Sequence, residues 1–176
     1  MAALPSDSVF SEVTDSASSG ASSSDTSSVP PPLSQSTPQT QQATEGMLAY
    51  KNAAFHFGLL FPDNLQATEY KEQDGAVTVS FQDTKTDQGF EVYVTPYADK
   101  QITPQRFKLD EPSGVMQTPT DIVVDGTRAT MFFGNNTIMG DTREVWFIHG
   151  GFLYEVTTYK ELDTWLGGIM RTWRFI

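Results

Sequence analysis

From Met47 to the end of the chain, apolar and polar residues follow one another in short runs separated by turn residues. The clearest run places Val77, Val79 and Phe81 on one face of a strand and Thr78, Ser80 and Gln82 on the other, the two-residue period of a half-buried β-strand. Phe90, Val92 and Val94 repeat it. The pattern predicts strands near Leu48–Lys51, Phe55–Phe61, Leu65–Glu72, Ala76–Asp83, Phe90–Pro96, Asp121–Val124, Thr127–Gly134, Thr142–His149, Phe152–Tyr159 and Trp173–Ile176. Gln73-Asp74-Gly75, Asp125-Gly126 and Gly150-Gly151 lie between paired runs and read as tight hairpin turns that need positive φ. The strands are therefore expected to pair mainly antiparallel.

Two helices interrupt the strands. Thr103 before Pro104 supplies a capping hydroxyl and a proline at the first helical position, which predicts a short helix through Leu109. Leu162, Trp165, Leu166, Ile169 and Met170 have the spacing of a buried helical stripe. Gly167 and Gly168 inside that stripe imply close packing on the sheet or fraying. If Gly150-Gly151 is a two-residue turn, Val145, Phe147, Phe152, Tyr154 and Val156 share one hairpin face, and Trp146, Ile148, Leu153 and Tyr159 the other. A strand pair apolar on both faces is covered on both faces. The expected fold class is α+β: a central antiparallel sheet flanked by helices over residues 47–176.

Residues 1–46 differ in kind. They are mostly Ser, Thr, Pro, Gln and Ala, with scattered acids, no basic residue and few bulky apolar ones. Such a segment buries too little apolar surface to offset the entropy of ordering its backbone. A disordered tether is expected, with a stiffer polyproline II stretch at Val29-Pro30-Pro31-Pro32-Leu33 that serves as spacer or as partner motif.

Composition narrows the function. The chain has 176 residues, a net charge of −11 and no cysteine, so thiolate chemistry and cysteine-ligated metals are excluded. No basic patch is present to release counterions from a phosphate backbone, so nucleic acid is not an expected partner. No stretch has the roughly 20 apolar residues of a membrane span, and Met1 to Phe10 lacks the basic start and apolar run of a secretory signal. The chain as given is expected to be soluble and monomeric.

Candidate chemistry is sparse. His56 lies between Phe55 and Phe57 in a predicted strand, on its less apolar face, and reads as structural or solvent-facing; His149 precedes Gly150-Gly151 and reads as a turn-flanking residue, because no Gly-x-Ser-x-Gly elbow accompanies the His-Gly-Gly sequence. The Asp83–Gly89 run resembles a calcium loop, yet Lys85 occupies a ligand position and no Glu closes it. It reads as a strand connection. Asp110 and Glu111 read as solvated loop charges. Glu144 and Glu155, on neighbouring strands, form a potential carboxylate pair for glycoside hydrolysis, with ordinary ion pairs to Arg143 or Arg128 as the favoured alternative. Asn135-Asn136-Thr137 is a formal glycosylation sequon. No catalytic, cofactor-binding or metal residue is assigned.

Tyr50-Lys51-Asn52, Phe57-Gly58-Leu59-Leu60-Phe61-Pro62, Gly126 before a strand, Arg143-Glu144-Val145-Trp146-Phe147 and the ending Thr172-Trp173-Arg174-Phe175 together resemble the PsbP-like family. The resemblance spans residues 47–176. In that family an opening Tyr-x-Asn leads to a Gly-Phe strand running into Tyr-Pro and often a Trp; here His56 replaces the Gly, Phe61 the Tyr and Leu65 the Trp. The resemblance implies an α/β/α sandwich and a non-catalytic binding or assembly role. Extrinsic subunits of the oxygen-evolving complex, a nuclear-import factor that binds a small GTPase, and bacterial surface proteins belong to the family.

The expected function is a non-enzymatic interaction module, held outside the cytoplasm or at a cell surface on its N-terminal tether, with an unidentified protein as partner. Tyr93, Tyr97 and Tyr159 are the candidate partner contacts, since they fall off the main apolar alternation or at strand ends. The alternative is a small-ligand or divalent-metal-binding domain. No cofactor is expected.

Overall fold

The computed structural model describes residues 41–176. The elements run β1 (Gln41–Thr44), β2 (Met47–Asn52), β3 (Phe57–Pro62), β4 (Gln66–Lys71), β5 (Val77–Gln82), β6 (Gly89–Pro96), α1 (Pro104–Asp110), β7 (Gln117–Val124), β8 (Thr127–Asn136), β9 (Gly140–His149), β10 (Phe152–Tyr159), α2 (Asp163–Met170) and β11 (Arg174–Phe175). The tether expected over residues 1–46 lies outside the described residues as far as residue 40. Gln41–Thr44 belong to the sheet, because they pair with Met47–Ala49, so strand structure begins before the expected start at Met47.

Seven strands form one large antiparallel sheet in the order β4-β5-β6-β10-β9-β8-β7. A smaller sheet, β1-β2-β3-β11, lies apart from it in hydrogen bonding. The hairpin turns have the predicted backbone: Asp125 and Gly126 stand at φ 42° and 80°, and Gly150 and Gly151 at 59° and 86°. Both residues of each pair are left-handed, as the two-residue turn matching strand twist requires. The Gly150-Gly151 turn sets Tyr154 opposite Phe147 and Val156 opposite Val145, so this hairpin has the two apolar faces expected.

One face of the large sheet carries the core. Val79, Phe81, Val92, Phe147, Tyr154 and Val156 pack there with Tyr50, Phe57, Leu59 and Phe61 of the small sheet and with Leu166, Ile169 and Trp173 from α2 and beyond. Aromatic rings cross the interface. Phe57 stacks on Trp173 with centroids 4.6 Å apart, and Phe61 meets Phe81 edge-on at 5.0 Å. Each fully buried side chain of this size contributes about 1.5–3 kcal/mol by leaving water. The expected sheet flanked by helices is therefore modified: on this face the small sheet shares the cover with α2, because β2 and β3 carry aromatic rows that one short helix cannot replace.

Gly167 and Gly168 have open space where a Cβ would stand. The expected close packing at these glycines is absent, and α2 runs through them without a break.

Candidate functional site

The opposite face of the large sheet is covered only in part, by α1 and the loops on either side of it. Thr103 caps α1, its Oγ1 accepting from the Arg106 N–H at 3.1 Å, with Pro104 at the first helical position as predicted. The preceding loop is pinned by Tyr97, whose hydroxyl donates to the Gln101 carbonyl and accepts from the Thr103 N–H, each at 3.1 Å. Held this way, α1 lays Phe107 against Trp146 and Phe132, at 5.4 and 5.9 Å between centroids.

Beside this contact the sheet is open. A groove of about 730 Å³ has Phe107, Phe132 and Trp146 in its floor, Ile102, Met116 and Ile148 in its walls, and Lys100, Asp121 and Arg128 at its rim. Its volume lies in the roughly 300–1,000 Å³ range of ligand sites, and an apolar floor with few polar groups is their usual character. Met116 is exposed while Phe132 and Trp146 are buried, so the aromatics form the bottom of the groove rather than its lip.

Behind the groove, acids are buried under α1. Glu111, Glu144 and Glu155 are all nearly inaccessible. The Glu144 Oε2 accepts from the Thr157 hydroxyl at 2.6 Å and the Trp146 indole N–H at 3.1 Å, and burial raises its pKa. Burial and then the neighbouring Asp110 push Glu155 up to about 10, against a smaller opposing pull from Arg106, which favours the neutral acid at pH 7. Arg106 forms an ion pair with Asp110 one turn along α1. Ser113 donates to Glu111.

Asp110 and Glu111 are thus not the solvated charges expected, since α1 folds them down onto the sheet. The anticipated ion pairs of Glu144 and Glu155 are also replaced. Arg143 bonds Asp163 at 2.7 Å and Arg128 bonds Asp121 at 2.5 Å, because Arg143 projects toward α2 and Arg128 toward its edge-strand neighbour. Glu144 and Glu155 share a face, as Glu155 sits opposite Trp146 and Glu144 opposite Thr157, but neither lines the groove.

His56 departs from the predicted strand. It stands at φ 54° in the turn between β2 and β3 and is exposed. The cause is Asn52, whose Oδ1 accepts from the Phe55 N–H at 3.1 Å and reverses the chain so that β3 starts at Phe57. His149 ends β9, with Nδ1 2.9 Å from the Thr127 hydroxyl and its ring stacked on Phe175 at 3.6 Å. The Asp83–Gly89 run is a strand connection: the Asp83 carboxylate accepts from Asn64, Thr86 and the Lys85 N–H.

The three tyrosines are not brought together. Tyr93 lies under the Arg106 guanidinium, 5.9 Å from ring centroid to carbon, Tyr97 holds the loop before α1, and Tyr159 stands at the far end of β10 beside Asp87, Gln88 and Leu162. The groove itself was only half legible in the sequence. Trp146 and Ile148 announced an apolar second face, whereas the arrival of Met116 and Phe107 over it depends on the path of the loops. Among the described residues, no three His, Asp or Glu side chains are grouped to hold a metal ion, and no helix is long and apolar enough to cross a membrane.

No protein-family model matches the chain, and no curated protein matches it either. Among solved structures it is similar to the solution structure of cyanobacterial PsbP (CyanoP) from Synechocystis sp. PCC 6803, at 12% identity and a TM-score of 0.56. The match covers 76% of this chain and 95% of that one. The chain has a PsbP-like fold. This PsbP-like fold is mostly antiparallel sheet with two short helices, in keeping with the resemblance carried by Tyr50, Phe57, Trp146 and Trp173, all four of them buried.

Proposed function

We propose that the domain is a non-enzymatic interaction module whose partner inserts an apolar segment into the groove between α1 and β7–β9. The aromatic-floored groove carries this reading. Aromatic and large apolar side chains that a partner covers in a pocket dominate binding energy at protein interfaces, and half-exposed Phe107 and Ile148 with exposed Met116 offer such surface here. The carboxyls that would suit acid–base chemistry are sealed beneath α1, away from the groove. Tyr97 acts on the site through the loop it pins. In this reading the segment before β1 is the tether that holds the domain outside the cytoplasm or at a cell surface; the support is its Ser, Thr and Pro-rich composition and the PsbP-like fold. A small apolar ligand is the second reading, favoured by the groove's volume.

A photo-crosslinking amino acid placed at Met116, in the groove wall, and separately at Ile138, exposed on the β8–β9 hairpin, tests the proposal in the full chain with extract of the source cells. A discrete crosslinked polypeptide from position 116 and none from 138 is the expected result. The same products from both positions, or none from either, overturn it. A rise of several degrees in melting temperature with a lipid or aromatic compound, and no crosslink at 116, selects the small-ligand reading instead.

A further inference from the structure

The two edges of the large sheet are built differently. β7 contains Pro119, its pairing with β8 shifts register between Gln117 and Thr120, and Thr118 stands at φ 47°. Proline and bulges are the devices that keep an edge strand from pairing with another chain. β4, at the opposite edge, has neither. It is Gln66-Ala67-Thr68-Glu69-Tyr70-Lys71, pairs with β5 in unbroken register, and has no strand on its outer side among the described residues. Tyr70 is 54% exposed.

The direction of its free backbone groups is fixed by the hairpin. The Glu72 N–H donates to the Ala76 carbonyl at 3.0 Å. In an antiparallel ladder alternate residues direct both N–H and C=O to the same neighbour, so Glu72, Tyr70 and Thr68 turn theirs inward to β5. Ala67, Glu69 and Lys71 turn theirs outward, with no partner among the described residues.

We propose that β4 pairs antiparallel with β4 of a second copy of this chain about a two-fold axis at Tyr70, joining the two large sheets into one. The charges select this register. With the axis at Tyr70, each Glu69 lies opposite the other copy's Lys71 and exchanges both backbone hydrogen bonds with it. An axis at Glu69 sets Glu against Glu, and one at Lys71 sets Lys against Lys, both unfavourable. An axis at Thr68 puts Ala67 opposite Glu69 and forms no charge pair. The Tyr70 axis is isologous, so the same contact closes twice and growth stops at a dimer. Lys71 makes no other ion pair among the described residues, and Glu69 uses Oε1 for the Tyr50 hydroxyl at 2.5 Å, leaving Oε2 for the neighbour.

The chain has no cysteine, which gives a direct test. In the proposed register Tyr70 faces its own copy as a non-hydrogen-bonded pair, with Cα atoms about 4.5 Å apart, within disulfide range. Full-length Tyr70→Cys is expected to form a covalent dimer rapidly on oxidation. Val123→Cys, 72% exposed on the blunted edge, serves as control. Light scattering of the wild type should give twice the 19.5 kDa chain mass, and Lys71→Glu should weaken that dimer roughly tenfold by opposing Glu69 with an acid. Crosslinking of Tyr70→Cys no faster than Val123→Cys, or a wild type that stays monomeric at high concentration, overturns the proposal. An unchanged dimer in Lys71→Glu overturns the register and the proposal with it.

Discussion

Glu155, in the middle of β10, lies against Asp110 of α1 with almost no access to solvent, and burial followed by that second acid pushes its pKa up to about 10. The pair marks the seam between the sheet and its partial cover. One Glu155 oxygen has no hydrogen-bond partner among the described residues. A neutral carboxylic acid is the form such a site tolerates, since an unpaired charge there would carry a large desolvation penalty.

Stability should therefore fall as pH rises. In the unfolded chain Glu155 titrates near 4.5, against about 10 in the folded domain. Between these values the folded state binds the extra proton, so the contribution is fully present below about 4.5 and is lost progressively toward 10. Glu144, also raised by burial, acts in the same sense. Each group limits the slope to about 1.4 kcal/mol per pH unit. Asp83 and Asp141, lowered by their hydrogen bonds, act in the opposite sense only in acid. Melting temperatures taken from pH 5.5 to 8.5 should decline in the wild type and flatten in Glu155→Gln. Parallel curves would show that Glu155 is ionised in the fold.

Two glycines should respond oppositely to alanine. At Gly134 a Cβ would stand 2.7 Å from the Glu111 carboxyl, 2.9 Å from the Thr142 hydroxyl and 3.3 Å from Glu144 Cγ. All three neighbours are buried, so Gly134→Ala should destabilise by about 1–3 kcal/mol through overpacking. At Gly167, on α2, nothing lies within 4 Å of the Cβ position. Gly167→Ala should stabilise by about 0.5–1 kcal/mol, because alanine loses less backbone entropy in a helix. Urea unfolding of both variants checks the pair.

The strands were legible because each needed only its own two-residue alternation and a turn signal, and Val77-Thr78-Val79-Ser80-Phe81 is read correctly with no knowledge of its neighbours. His56 shows where that logic stops. It sits between two phenylalanines, yet one side-chain bond from Asn52 outweighs the alternation and turns the chain. The pairing of Asp110 and Glu111 with the sheet was hidden for another reason: both acids are ordinary loop charges until α1 docks, and that docking depends on Phe107 finding Trp146 and Phe132 from distant strands. The i, i+4 spacing of Arg106 and Asp110 was the available signal. The small sheet was hidden likewise, since period alone does not say which strands share a sheet.

The Trp173–Phe57 stack should be among the most sensitive contacts in the core. Trp173 is fully buried, follows α2, and touches Phe57 of the small sheet as well as Phe147 and Tyr154 of the large one. Its indole N–H has no partner among the described residues, so packing carries its contribution there. Trp173→Ala should cost about 3–5 kcal/mol, and Trp173→Phe, which keeps an aromatic ring and removes the unpaired donor, considerably less. Denaturant midpoints of the two variants separate lost packing from any role of the indole nitrogen.

The loop before α1 gives the prediction closest to function. Tyr97 connects the Gln101 carbonyl and the Thr103 N–H through one hydroxyl, and Thr103 then caps α1. Tyr97→Phe removes both loop bonds but keeps the ring; Thr103→Ala removes the cap, a loss of about 1 kcal/mol. Because α1 has no fully buried residue of its own, these local bonds matter more there than in the sheet. Amide exchange across 104–110 should rise roughly fivefold in Thr103→Ala, and in Tyr97→Phe the faster exchange should extend back through 101–103. The strands beneath should keep their protection in both variants. If exchange in β9 and β10 rises equally, α1 is part of the cooperative core, and the groove beside it is as rigid as the sheet that floors it.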